Sequence, residues 1–165
     1  MYLDRAYRFA LNLTQNAHAA EDLVQEAFVE MFRSLHRYDA SFAFSTWFFQ
    51  IIVHRFQKLQ RKRRLLFSVF RFFAKTPIDP DSFADSKDSP ELALTRKEEK
   101  EILLQSIQKL PEDQRLVVTL YDLEGLSQKE VAEILSIPVG TVMSRLHYAR
   151  LKLRDLLEPY FKDRL

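Results

Sequence analysis

Arg55, Lys58, Arg61 and Lys62 recur at three- and four-residue spacing, with no carboxylate among them. On a helix that spacing places them near one stripe. Cations one turn apart suit the tracking of phosphates, with an affinity expected to fall steeply with salt as counterions are released. Four aromatics lie just upstream: Tyr38, Phe42, Phe44 and Trp47. Aromatic faces beside a cationic track can stack on the bases of an opened strand. The plainer assignment for Trp47, Phe48, Ile51 and Ile52 is the core, because aromatics at helical spacing more often pack than recognise. A second set lies far along the chain: Ser144, Arg145, His147, Tyr148, Arg150 and Lys152, with no acid over residues 141–154. Arg donates in pairs to guanine, and Ser and His bond several bases.

Bond-making chemistry finds no support. His18, His36, His54 and His147 lack metal-ligand spacing with one another. The chain has no Cys, which excludes disulfides, thiolate metal sites and cysteine nucleophiles, and fits a reducing cytosol. With two glycines there is no glycine-rich phosphate loop, and none of the nucleophile motifs occurs. The expectation is a binding protein, not an enzyme, without metal or cofactor.

The net charge of +2 hides an uneven distribution. Residues 40–78 hold eight Lys and Arg and no Asp or Glu, whereas residues 1–39 and 79–101 are each net acidic. One dense cationic block in a near-neutral chain points to a polyanion. No secretory signal is expected, because Asp4, Arg5 and Arg8 interrupt the apolar residues of the N-terminus. The apolar runs "WFFQIIV" and "LLFSVFRFFA" fall far short of the roughly 20 residues a spanning helix needs. A cytoplasmic location is expected.

These side chains must be held by helices, since so few glycines argue against a loop-rich or all-β protein. Apolar spacing predicts a helix over residues 2–13, then a polar break. "AEDLVQEAFVEMFRSLHRY" predicts an amphipathic helix burying Leu23, Val24, Ala27, Phe28, Met31 and Leu35, with Asp22, Gln25, Glu26, Glu30 and Arg33 outside. Ser45 or Thr46 is placed to cap a long helix starting near Trp47, apolar first and basic from Arg55. "TPIDPDSFADSKDSP" reads as a linker, which divides the chain into units 1–75 and 92–165 about a connection at 76–91. Beyond it, Pro111 fits the first turn of a helix that Gly125 ends. "SQKE" at residues 127–130 is a capping box opening a short helix with Val131, Ile134 and Leu135 inward. After the turn "SIPVG" a second helix buries Val142, Leu146, Ala149 and Leu153, with Leu156 or Leu157. Two short helices about a tight turn make a helix-turn-helix, whose second helix fits the DNA major groove. The expected fold is all-α, two small helical domains joined by a flexible linker.

Three stretches, "AEDLVQEAFVEMFRSLHRYD", "FSTWFFQIIVHRFQKLQRKRR" and "LPEDQRLVVTLYDLEGLSQKEVAEILSIPVGTVMSRLHYARLKL", together resemble a bacterial RNA polymerase sigma factor of the compact extracytoplasmic-function (ECF) group. The first two resemble sigma region 2 and the third region 4, in order and over roughly half the chain. The resemblance implies that Asp22, Gln25 and Glu26 dock on the clamp helices of the polymerase β′ subunit. It implies that Ser34, Tyr38 and His54 form a pocket for a flipped base of the −10 element, with Arg55, Lys58, Arg61 and Lys62 toward phosphates. It implies that Thr141, Met143, Ser144, Arg145, His147 and Tyr148 read the −35 element, and that the β flap contacts the same unit. Promoter DNA, core polymerase and an anti-sigma factor are the implied partners.

Three departures stand out against the family pattern. Relatives carry a further helix before the "YRFALNLT" stretch, which is expected to be absent or trimmed here. His54 stands where many relatives have Asn, which implies a different base preference and a response to pH. Met143 and Tyr148 replace residues that are often Arg, which lowers charge at the −35 contact. The family does not explain the apolar stretch at residues 65–73. Its surface should be buried, by repacking over the region 2 core, by an anti-sigma factor or on a membrane, with protein contact favoured over the membrane. A stand-alone helix-turn-helix regulator and a membrane-surface adaptor remain the competing functions.

Overall fold

The computed structural model describes residues 2–41, 43–73 and 94–161, and every regular element among them is helical. Helix α1 (Tyr2–Thr14) buries Ala6, Phe9, Ala10 and Leu13, one face at helical period. Gln15 turns the chain at a φ of 56°, and the Asn16 side chain caps α2 (Ala17–Ser34) by accepting from the Ala19 amide at 2.9 Å. That two-residue link folds α2 back on α1. Leu23, Val24, Ala27 and Met31 form its buried stripe, as expected, joined by Ala20 and with Phe28 packed partly against the core. Leu35 departs from the expectation and is 48% exposed. The chain tightens into a 3₁₀ turn at Leu35–Arg37, and the change of pitch rotates Leu35 off the stripe.

Helix α3 (Phe44–Phe73) begins three residues before Trp47. Thr46 therefore lies inside its first turn, buried, and is not a cap. Phe48, Phe49, Ile51, Ile52, Val53 and Phe56 are buried, whereas Lys58, Leu59 and residues 61–65 are exposed. Two ring contacts fasten α3: Phe49 edge-on to Phe9 at 4.8 Å and Phe48 tilted on Phe28 at 4.9 Å. The helix continues through Phe73, but the side chains of the expected apolar stretch beyond Leu65 lie outside the described residues, as do Phe42 and the expected linker.

The C-terminal unit comprises α4 (Leu94–Gln108), α5 (Glu112–Val118), α6 (Gln128–Leu135) and α7 (Val139–Phe161). Pro111 precedes α5 as its N-cap, where its missing amide costs nothing. One π turn (Thr119–Leu123) follows, closed by the Glu124 amide on the Thr119 carbonyl at 3.0 Å, and Gly125 ends it at a φ of 69°. The capping box at α6 is complete. Ser127 Oγ accepts from the Glu130 amide at 3.3 Å, and Glu130 accepts from the Ser127 amide at 2.8 Å. Val131 and Ile134 of α6 and Val142, Leu146, Ala149 and Leu153 of α7 meet in the core with Leu116, Val117 and Leu120.

The two units pack on each other. Helix α6 lies on α3, and α1 lies against the π turn. Arg5 bonds Glu124, the Gln108 side-chain amide donates to the Asn12 carbonyl at 2.6 Å, and Arg64 pairs with Glu112 at 2.6 Å.

Candidate nucleic-acid and partner-binding faces

Helix α2 presents Asp22, Gln25 and Glu26 to solvent on one face, opposite its buried stripe. Two large apolar side chains extend that face, Val29 at 48% exposed and Phe32 at 70%. Neither was singled out from the sequence. Their spacing from Asp22 and Gln25, by threes and fours, is the signal that would have found them. An acidic strip running into exposed apolar groups is the composition of a protein-docking face, since isolated solvated helices have no use for an exposed Phe.

Arg55 does not stand in the cationic stripe. Its guanidinium reaches across to α2, where it pairs with Glu26 at 3.5 Å and with Glu30. This pairing ties α3 to α2 and reaches Glu26, an expected docking residue. Lys58, Arg61 and Lys62 stand exposed beyond it, an array of cations with solvent around them.

A cavity of about 380 Å³ opens where the 3₁₀ turn meets the start of α3. Arg37, Tyr38, Asp39, Thr46, Trp47, Gln50 and Glu133 line it. Its wall is aromatic: the Tyr38 ring tilts on Trp47 at 4.9 Å, and Phe44 stands edge-on to Tyr38 at 5.7 Å and to Trp47 at 5.8 Å. Charged and amide groups rim it. The Ser41 amide donates to Asp39 at 2.9 Å, and this bond, with the Ser41 hydroxyl, holds the Asp39 carboxyl below its ordinary range. A flat apolar wall with donors and acceptors at its edge has the chemistry to hold an unstacked base. Of the three expected pocket residues, Tyr38 lines the cavity and the other two do not. Ser34 donates its hydroxyl to the Glu30 carbonyl at 2.6 Å, a local bond within its own helix. His54 is exposed one turn beyond Gln50, outside the lining. Of the other lining residues, Arg37, Asp39, Thr46, Gln50 and Glu133 carry no sequence expectation for this place, whereas Trp47 does. Trp47 is one of the aromatics whose place beside the cationic track suits base stacking.

Helix α7 carries the third face. Met143, Ser144, His147 and Tyr148 are exposed, and Thr141 is half-buried. The His147 and Tyr148 rings meet edge-on at 5.4 Å. Arg145 is half-buried and pairs with Asp113 at 3.3 Å, while Arg150 donates to Asp122 at 2.6 Å beneath the Tyr121 ring. The bond to Asp122 and the charge of that carboxylate raise the Arg150 pKa further, so it stays cationic. A shallow groove between α6 and α7 is lined by Gln128, Met143, Leu146, His147, Arg150 and Leu151. Gln128 was not expected on this face. It arrives because the capping box starts α6 beside the second helix of the motif.

No group of three or more His, Cys, Asp or Glu able to hold a metal occurs among the described residues, and no described helix is long and apolar enough to cross a membrane.

Residues 1–65 match the family Sigma-70 region 2, and residues 100–153 match Sigma-70, region 4. The chain is 35% identical over 162 residues to the ECF RNA polymerase sigma factor SigE of Mycolicibacterium smegmatis, covering 98% of this chain and 61% of that protein. It is 32% identical to the RNA polymerase sigma-H factor of Pseudomonas aeruginosa and 34% identical to the ECF RNA polymerase sigma factor SigW of Bacillus subtilis, and it spans 85% of each. Among solved structures, the sigma factor RpoE in complex with the anti-sigma factor NepR from Bartonella quintana superposes with a TM-score of 0.74 at 24% identity, over 94% of this chain and 91% of that one. CnrH, solved with the cytosolic domain of CnrY, gives 0.64 at 24% identity, over 93% and 80%. Both share the fold.

Proposed function

The chain belongs to the extracytoplasmic-function group of the sigma-70 family, and on that premise we propose that it directs core RNA polymerase to promoters by recognising their −10 and −35 elements. The observation that carries this reading is the aromatic cavity of Tyr38 and Trp47 beside the free cations of α3, in the same chain as a helix-turn-helix. A duplex reader needs only the second. A protein that also opens a strand needs somewhere to put an unstacked base, and a cationic track for the strand.

In this reading Asp22, Gln25 and Glu26, with Val29 and Phe32, seat the β′ clamp helices. Trp47 and Tyr38 stack on a displaced −10 base, and Lys58, Arg61 and Lys62 follow its strand. Thr141, Met143, Ser144, Arg145, His147 and Tyr148 meet the −35 duplex, and the polymerase β flap meets the same unit. The two units work as separate domains, 1–75 and 92–165, so that each reaches its own element. An anti-sigma factor is a fitting third partner, since the similar RpoE was solved with one. Acting on the polymerase places the chain in the cytoplasm.

Reconstitution with core polymerase tests the reading. Promoter-specific transcripts from the mixture, with defined 5′ ends, are the expected result. A chain that binds duplex DNA but does not associate with core polymerase would instead be a stand-alone helix-turn-helix regulator.

A further inference from the structure

Arg145 and Arg150 of α7 each meet a carboxylate from earlier in the same unit. The two pairs differ in what they leave open. The Arg145 side chain is 30% exposed against Asp113, whereas that of Arg150 is 56% exposed against Asp122. Arg150 also lines the groove between α6 and α7, with Gln128, Met143 and His147. Asp122 and its neighbour Tyr121 reach Arg150 from different directions. Adjacent residues of a helix point about 100° apart. Here Asp122 accepts from Nη2 at 2.6 Å, and the Tyr121 ring, packed partly against the core, lies 5.6 Å from the guanidinium carbon. The carboxylate fixes where the fork points, and the ring fixes its plane. Both residues belong to the π turn, a rare geometry that recurs at functional sites.

We propose that Asp122 is a positioning residue for DNA binding: with Tyr121 it holds the Arg150 guanidinium at the α6–α7 groove, and Arg150 takes a phosphate of the −35 duplex. The proposal rests on the reading of α7 as the helix that meets that duplex. A guanidinium carries several N–H donors, and the bond to Asp122 uses one. Arg150 follows Met143 by two helical turns along one face, or about 10 Å at 1.5 Å per residue. The major groove is about 12 Å wide. A helix whose start touches base edges therefore reaches the sugar–phosphate wall near Arg150. An unanchored arginine loses rotamer freedom when it takes a phosphate, whereas an anchored one has lost it beforehand. Phosphate contacts set the register in which neighbouring side chains meet bases, here Met143 and His147 of the same groove.

The sign of one substitution tests this. Asp122 is negative, so on charge alone Asp122→Asn should tighten binding to a polyanion. Positioning predicts the reverse. The measurement is fluorescence anisotropy of the full chain with two fluorescein-labelled duplexes of unrelated sequence, about 25 base pairs each, titrated from about 50 to about 200 mM salt. A phosphate contact carries no sequence information, so these duplexes suffice. Arg150→Ala is expected to weaken binding to both duplexes equally. It should also lower the slope of log affinity against log salt by about 0.9, the release expected from one phosphate. Asp122→Asn is expected to bind about threefold more weakly than wild type, the scale of a half-exposed ion pair. In the Arg150→Ala background the same change is expected to tighten binding, since only the repulsion is left to remove. That reversal separates positioning from damage to the π turn, which would weaken binding in either background. Tighter binding by Asp122→Asn alone, or a loss that persists without Arg150, overturns the positioning role. A salt slope that Arg150→Ala leaves unchanged, or a loss on one duplex only, overturns the phosphate contact. A wild-type chain that binds neither duplex at about 50 mM salt removes α7 as a duplex reader, and the role of Asp122 with it.

Discussion

The Arg5 guanidinium donates twice to Glu124, to its carboxylate at 2.9 Å and to its main-chain carbonyl at 2.7 Å, while lying 5.1 Å from the centre of the Phe49 ring. One side chain from the first helix thus satisfies the end of the π turn and covers an aromatic of α3. The Glu124 side chain is left 8% exposed by this arrangement, with Arg5 as its ion-pair partner. The contact joins residues 119 positions apart.

Arg5→Ala is therefore expected to cost about 1–3 kcal/mol, because it strands a nearly buried carboxylate rather than merely removing a bond. Urea denaturation measures it. The double variant R5A/E124A should recover part of the loss, as removing both partners leaves nothing unpaired. A loss under about 0.5 kcal/mol for the single variant would show that the contact does not persist in solution.

Ser127→Ala should lower stability by about 1 kcal/mol at neutral pH through loss of the cap. It should also change the acid limb of the stability curve. Glu130 has a folded pKa below its unfolded one, chiefly because Ser127 donates to it. As pH falls, the unfolded chain takes up this proton first. The stabilisation is therefore complete above the ordinary glutamate range and is lost as pH drops through the depressed folded value. Melting temperature followed from neutrality into acid should fall less steeply in Ser127→Ala than in wild type. Parallel curves would mean that Glu130 owes its shift to something else.

Phe32→Ala should weaken association with core polymerase by about 2 kcal/mol, the scale of an aromatic anchor at an interface. Its melting temperature should barely move, since the ring is exposed and supports no core contact. Titration of labelled core polymerase supplies the affinity. Unchanged binding would assign the exposed ring to another partner.

Trp47→Ala should impair promoter opening more than His54→Ala, because Trp47 lines the cavity and His54 stands outside it. Permanganate reactivity of the melted strand, with core association measured in parallel, separates opening from assembly. Greater damage from His54→Ala would assign the base contact to that histidine.

Much of the local architecture was legible in the order of residues. The capping box at residues 127–130 appears as expected because both of its hydrogen bonds lie within four residues. The buried stripes of α2 and α7 follow from period alone, which needs no knowledge of what covers them. Leu35 breaks its pattern because a 3₁₀ turn changes the pitch there, and nothing nearby in sequence announces that change. Thr46 illustrates a different limit. It has the chemistry of a cap, but α3 starts earlier, and its hydroxyl serves a glutamate 84 residues away.

The sequence by itself determined that the chain is helical, where its helix-turn-helix lies, and that one segment is strongly cationic. These properties depend on spacing along the chain, and spacing is local. Tertiary structure alone decided that Arg55 pairs with α2 instead of joining the cations beside it, that Trp47 lines the cavity and His54 does not, and that Glu133 of α6 lines it as well. Each of these is set by which helix face meets which, and that choice is made by the shared burial of α1, α2, α3 and α6 around one core.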